Sequence, residues 1–238
     1  MTPLYAVAVY VFFAVTFSYA IGFVGNIAVP KSVDTGASAS LVEALLVDVG
    51  LLGVFAVQHS VMARRGFKRA WTRLVPHPLE RSTYVLFATL ALALILWQWR
   101  PIAEPVIWRL DSPLAVDAAW AVFWLGWGVL LFATFLLNHF ELFGLQQAFE
   151  APGMPGEPQF RTPGLYRYVR HPIYLGFLLA FWATPVMSAG HLLFAAGASG
   201  YILIGIALEE RDLIAQFGDP FRRYREQVGM LLPGRRSR

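Results

Sequence analysis

Residues 4–29 read LYAVAVYVFFAVTFSYAIGFVGNIAV, and no Asp, Glu, Lys or Arg interrupts them. About 20 residues rising ~1.5 Å each cross the ~30 Å hydrocarbon core of a bilayer, so this stretch is long enough to span one. Its apolar residues lack the strict alternation of a barrel strand, and in lipid only helices and closed barrels satisfy every backbone polar group. It has no basic leader region and no cleavage site, which separates it from a secretory signal. The stretch is read as a retained transmembrane helix.

The pattern recurs along the chain. Leu41–Met62, Thr83–Trp99 and Ala118–Leu137 are further apolar blocks. Ile173–Leu208, broken at Ser188-Ala189-Gly190, reads as two spans of about 17 residues or as a deep hairpin. With 57% hydrophobic and 14% charged residues and a mean hydropathy of +0.55, the 238-residue chain has lipid as its main solvent. The expected fold is all-α, a polytopic integral membrane bundle of six transmembrane helices, or five. Arg64, Arg65, Lys68, Arg69, Arg73 and Arg81 against Glu80 mark a cytoplasmic loop, whereas Glu104, Arg109, Asp111 and Asp117 mark an external one. The segment holding Pro152, Gly153, Pro155, Gly156 and Pro158 is too rich in helix breakers to be helical throughout. The end of the chain, with Arg222, Arg223, Arg225, Arg235, Arg236 and Arg238, suits the inner leaflet, and six spans put both termini in the cytoplasm.

These loops account for the +4 charge and the pI near 9.6, so nucleic acid is excluded as a partner. Absence of cysteine excludes disulfides, thiolate metal sites and a cysteine nucleophile, and the five histidines are too scattered to hold a metal. No repeat argues for a transporter, and no obligate protein partner is evident. Trp97, Trp99 and Arg100 read as an interfacial belt, and Gly22, Gly25, Gly50 and Gly53 as helix-packing positions. Asp48, the deepest ionisable residue, is expected to pair with a polar neighbour and fix helix packing, and His77 and His191 are read as structural.

Two strings carry chemistry. Arg161-Thr162-Pro163-Gly164-Leu165-Tyr166-Arg167-Tyr168-Val169-Arg170-His171-Pro172-Ile173-Tyr174-Leu175-Gly176 sets arginines, a histidine and tyrosines where a loop enters the bilayer, and Ala207-Leu208-Glu209-Glu210-Arg211-Asp212-Leu213 sets adjacent carboxylates just after an apolar span. The bland readings are interfacial anchoring for the first and a solvated helix start for the second. Taken together they supply a guanidinium, carboxylates and aromatic walls, the set that S-adenosylmethionine (SAM) requires for its carboxylate, amino group, ribose diol and sulfonium. No Gly-x-Gly-x-x-Gly follows a strand, so a soluble dinucleotide-type site is not available.

The run Arg170-His171-Pro172-Ile173-Tyr174-Leu175-Gly176, with Thr162-Pro163-Gly164-Leu165-Tyr166 before it and Glu209-Glu210, Phe217-Gly218 and Tyr224 after it, resembles the isoprenylcysteine carboxyl methyltransferase and phospholipid methyltransferase superfamily. Asn138-His139 extends the likeness upstream. The resemblance implies SAM as cofactor, held by Tyr166, Arg170, His171, Tyr174, Gly176, Glu209 and Glu210. Over a wider stretch, through Tyr19–Asn26, Val57–Arg64, Glu80–Val85 and Asn138–Leu145, the chain resembles the bacterial membrane methyltransferases that convert methanethiol to dimethyl sulfide. The Gln58-His59-Ser60 and Glu80–Tyr84 elements also resemble the NnrU family, some of whose members are thought to bind haem.

The likeness implies a multi-pass enzyme of the bacterial inner membrane acting on a small thiol. Residues 1–137 would form a four-helix region with the acceptor pocket, and residues 138–238 a SAM-binding core with a C-terminal cytoplasmic helix. A thiol reacts as its thiolate, so the acceptor side needs a base or a positive charge. His59, Arg81, Tyr84, Asn138 and His139, all at cytoplasmic span ends, are its candidates. Isoprenylcysteine or phospholipid acceptors, or haem on His59 and His139, are the competing readings.

Overall fold

The computed structural model describes residues 2–149 and 160–234, so the Pro152–Pro158 segment and Arg235, Arg236 and Arg238 lie outside the described residues. The chain order is α1 (Thr2–Gly25), α2 (Leu41–Ala63), α3 (Arg65–Trp71), α4 (His77–Gln98), β1 (Val106–Arg109), α5 (Pro113–Leu136), α6 (His139–Leu142), α7 (Leu145–Phe149), a 3-10 turn (Gly164–Arg167), α8 (Pro172–Trp182), β2 (Val186–Ser188), α9 (Ala189–Phe217) and α10 (Asp219–Gln227). Five of these, α1, α2, α4, α5 and α9, are long and apolar enough to cross a membrane. The protein is an all-α multi-pass membrane protein.

The last apolar block divides unevenly. α8 has 11 residues and α9 has 29, so α8 is about 16 Å long and covers only half the hydrocarbon core. Two equal short spans are therefore not formed. Glu209 and Glu210 also fall inside α9 rather than at a helix start, because the helix continues past them to Phe217.

The chain forms two compact units. The first comprises Met1–Asp111, Phe140–Ala151 and Pro185–Ala198. In it α1 and α2 pack on α4, and β1 pairs antiparallel with β2. Asp48 is fully buried, and its Oδ1 accepts the Arg100 backbone N–H at 2.8 Å, the packing role expected of it. The belt reading holds for Trp97, which is 71% exposed, but not for Trp99, which is 0% exposed. The Trp99 indole donates to Val33 O at 3.1 Å and sits edge-on between Phe23 and Phe194, so a satisfied N–H lets the whole ring enter the core.

The second unit comprises Ser112–His139, Pro152–Thr184 and Ser199–Arg238. Its backbone contact is α5 against α8, made through glycine. A Cβ on Gly176 would lie 2.6 Å from Gly126 O and 2.7 Å from Leu130 N, and one on Gly126 would lie 2.7 Å from Gly176 O. Within lipid, such small-residue contacts let backbones approach and gain dispersion where no hydrophobic force drives helices together. Gly50 and Gly53, expected to do this, face open space, because the side of α2 that carries them is not packed.

Gly176→Ala is therefore expected to destabilise the protein by about 1–3 kcal/mol, because backbone atoms cannot move aside as a flexible side chain would. Gly200→Ala, which meets nothing within 4 Å, serves as the helical control and should not lower stability. Thermal unfolding in detergent micelles reads both.

Candidate functional site

The site of the second unit begins where α8 begins. His171 is the residue before the helix, and Pro172 opens it, with a fixed φ and no N–H to leave unsatisfied. Arg170 and His171 are both buried. Their backbone N–H groups donate to Gly229 O at 2.9 Å and Met230 O at 3.2 Å, so the C-terminal strand after α10 docks against the start of α8.

A charged node holds this junction. Arg170 Nε donates to Glu210 Oε1 at 2.8 Å, and Arg170 Nη1 donates to the carbonyls of Arg225, at 3.0 Å, and of Val228. His171 Nε2 lies 3.1 Å from the same Glu210 oxygen. A carboxylate oxygen that already takes a guanidinium proton acts as acceptor, so the imidazole is the donor. Beside this node, Tyr174 donates its hydroxyl to Glu209 Oε2 at 2.9 Å.

A half-enclosed cavity of about 220 Å³ opens next to the node. Tyr166, Arg170, His171 and Glu209 line it together with Arg161 and Thr162, and Leu137, Phe160, Leu213, Phe217, Phe221 and Tyr224 complete its walls. The 3-10 turn that carries Tyr166 lies close to the end of α5, where a Cβ on Gly164 (φ 50°) would come 2.8 Å from Leu136 Cδ1, so glycine suits both the backbone and the space. Tyr224 donates to Tyr166 O at 2.5 Å and so fastens α10 to that turn. Burial, then the Glu209 charge, raises the Tyr166 phenol above its ordinary range. Burial and the Glu210 charge, against the lowering influence of Arg170, push Tyr224 up to about 12. Both are protonated hydroxyls at neutral pH.

The sequence-predicted residues thus separate into groups. Tyr166, Arg170, His171 and Glu209 reach the cavity, while Tyr174 and Glu210 contact it through Glu209 and the charged node. Gly176 does not line it and serves the α5–α8 contact instead. In the first unit, Tyr84 Oη lies 2.9 Å from His59 Nε2, and the His59 ring stacks on Phe55. Arg81 Nε donates to Leu142 O at 3.1 Å and its backbone N–H to Gln147 Oε1. Asn138 and His139 belong to the second unit, at the end of α5. Phe160, Leu213 and Phe221 were not anticipated. Of these only Phe221 leaves a signal, as the apolar face of the amphipathic helix α10 with Tyr224 one turn on.

Helical spans with a polar, aromatic-walled cavity at a helix start define a multi-pass membrane protein with a small-molecule site. Residues 65–228 match the family described as "Protein of unknown function (DUF1295)". The chain is 57% identical over 235 residues to the methanethiol S-methyltransferase of Mycobacterium tuberculosis, covering 98% of this chain and 96% of that one. It is 54% identical over 238 residues to methanethiol S-methyltransferase 1 of Bradyrhizobium diazoefficiens, covering 98% and 82%. It is also 33% identical to human Nurim over 187 residues, covering 73% and 70%. No solved structure matches. The chain belongs to the methanethiol S-methyltransferase family.

The two raised phenols give a pH prediction. Tyrosines that ionise later in the native state than in the unfolded chain hold protons the unfolded chain has lost, so stability falls as pH climbs from the unfolded value near 10 toward about 12 for Tyr224. Tyr224→Phe should flatten that alkaline decline and, by removing the bond to Tyr166 O, lower stability near neutral pH by about 1 kcal/mol. Unfolding temperatures measured across the alkaline range for both proteins check the two effects.

Proposed function

We propose that this membrane methyltransferase takes its methyl group from SAM and delivers it to methanethiol, releasing dimethyl sulfide and S-adenosylhomocysteine. Near-full-length identity to methanethiol S-methyltransferases carries the reaction and the acceptor. The cavity supports the donor.

SAM, when bound, supplies an electrophilic methyl carbon on a sulfonium sulfur. The chain's residues fit its functional groups. Glu209 offers a carboxylate to an amino group or a ribose diol, and Arg161 offers a guanidinium to a carboxylate. The rings of Phe160, Tyr166 and Phe217 offer faces to a purine and to a sulfonium cation. Arg170 is committed to Glu210 and two carbonyls, so it acts on the donor by shaping the wall and keeping the tail docked. His171 and Tyr174 hold the two glutamates in register, His171 through Glu210 and Tyr174 through Glu209. Gly176 supports the site from behind, by fixing α8 on α5.

On the acceptor side the thiol must lose a proton before its sulfur attacks in line. His59, Arg81, Tyr84, Asn138 and His139 are assigned to that side, with residues 1–137 serving the acceptor and 138–238 the donor. Both termini are assigned to the cytoplasmic face of a bacterial inner membrane, the side on which the polar donor is dissolved.

Membranes carrying the protein, supplied with SAM and methanethiol, should release dimethyl sulfide measurable by headspace gas chromatography. His171→Ala should reduce the rate by roughly 10²-fold or more, as expected when a donor site loses its geometry. Glu209→Gln should raise the KM for SAM by about tenfold, a change of ~1.4 kcal/mol in binding. Donor binding without dimethyl sulfide would redirect the acceptor to a lipid or prenylcysteine. Absence of both would sink the methyl-donor reading.

A further inference from the structure

Helix α5 ends at Leu136, and the chain reverses through Asn138 at φ 70°, the left-handed conformation that asparagine tolerates better than most residues. The reversal folds His139 back over the last turn of α5. Its ring stacks on Phe135, with centroids 4.4 Å apart and planes 10° apart, and its Nδ1 lies 2.8 Å from Thr134 Oγ1. Both Thr134 and His139 are buried.

Thr134 has one hydroxyl proton and a second close partner. Its Oγ1 lies 2.7 Å from Leu131 O, and a carbonyl oxygen can only accept. The proton therefore goes to Leu131, which leaves Oγ1 to receive the bond from the imidazole. His139 then carries its proton on Nδ1 and keeps the lone pair on Nε2. Burial of the ring disfavours the imidazolium and lowers the histidine below its ordinary range, so it is a neutral base at physiological pH.

The same turn belongs to the cavity. Leu137, between Thr134 and His139 in the chain, is one of its walls, and Leu136 lies against the 3-10 turn that carries Tyr166. The other histidines are differently engaged: His171 donates Nε2–H to Glu210, and His59 belongs to the other unit, with its Nε2 on Tyr84.

We propose that His139 Nε2 accepts the proton of the thiol substrate and that Thr134 is the positioning residue that sets the tautomer for it. This rests on the thiol reading above. The thiol S–H bond breaks as its proton passes to Nε2. The sulfur electron pair forms the new S–C bond to the methyl carbon while the donor's S–CH₃ bond breaks, its pair remaining on the donor sulfur, and the imidazolium returns its proton to solvent.

The test pairs spectroscopy with kinetics. Nitrogen NMR of protein labelled at histidine nitrogen, with His139→Gln used to assign the signal, should show the His139 proton on Nδ1 in the wild type and in Thr134→Ser. In Thr134→Val, which keeps the shape but has no acceptor, the signal should move toward the Nε2–H form. Dimethyl sulfide formation should fall in kcat by roughly 10²-fold in Thr134→Val, with the KM for SAM unchanged, and recover in Thr134→Ser. An Nε2–H signal in the wild type overturns the assignment even if Thr134→Val does not fold, and so does wild-type kcat in Thr134→Val. Wild-type protein that binds SAM but forms no dimethyl sulfide overturns the acceptor, and with it the role of His139 as thiol base. A wrong tautomer in a protein that does form dimethyl sulfide overturns Thr134 alone.

Discussion

Glu210 is a carboxylate buried in the interior of a long apolar helix, and the second unit is arranged around satisfying it. An unpaired charge in such surroundings costs several kcal/mol, and breaking a buried pair typically costs about 3–5 kcal/mol. Arg170 and His171 supply the partners at one oxygen, and Arg225 approaches the other at 3.9 Å. Because Arg170 also donates to the Arg225 and Val228 carbonyls, one residue ties together the start of α8, the interior of α9 and the tail after α10. The cavity wall follows from that junction.

The short α8 has the same origin. A helix that must begin at the charged node cannot cross a bilayer in 11 residues, and its lateral stability comes from contact with α5. The paired glycines at 126 and 176 allow that contact at backbone distance, and the Trp127, Phe177 and Phe181 rings fill the space beside it edge to face. Packing in lipid gains dispersion but no hydrophobic energy, so close approach matters more than apolar area.

Hydropathy made the membrane bundle legible, since a run such as residues 4–29 has no other stable solvent. It could not divide residues 173–208 correctly, because mean apolarity carries no information about where an ion pair forces a helix to start. It also could not distinguish Trp97 from Trp99, whose difference is one indole N–H finding the Val33 carbonyl across the fold. The two charged strings pointed to the cavity because their residue types have few other uses beside a membrane. The tail was missed at Gly229 and Met230, where the contributing atoms are carbonyl oxygens that every residue has. Gly176, part of the motif, turned out to hold the helix that carries the site.

A polar, charged donor and a small apolar thiol approach from different solvents, and the composition of the cavity answers to both. Glu209 and Arg161 keep one side of it polar, whereas Leu137, Phe160, Leu213, Phe217 and Phe221 make the rest a poor solvent for charge. A thiolate generated in apolar surroundings is weakly hydrated, and the sulfonium it attacks loses its charge as the S–C bond forms, so both partners gain by reacting where water is scarce. The same scarcity makes proton removal the demanding step: a base there must be neutral beforehand and must hold its lone pair in a fixed direction. A histidine stacked on Phe135 and anchored by a threonine whose only proton is already given away meets both conditions without introducing a second buried charge beside the Arg170–Glu210 pair.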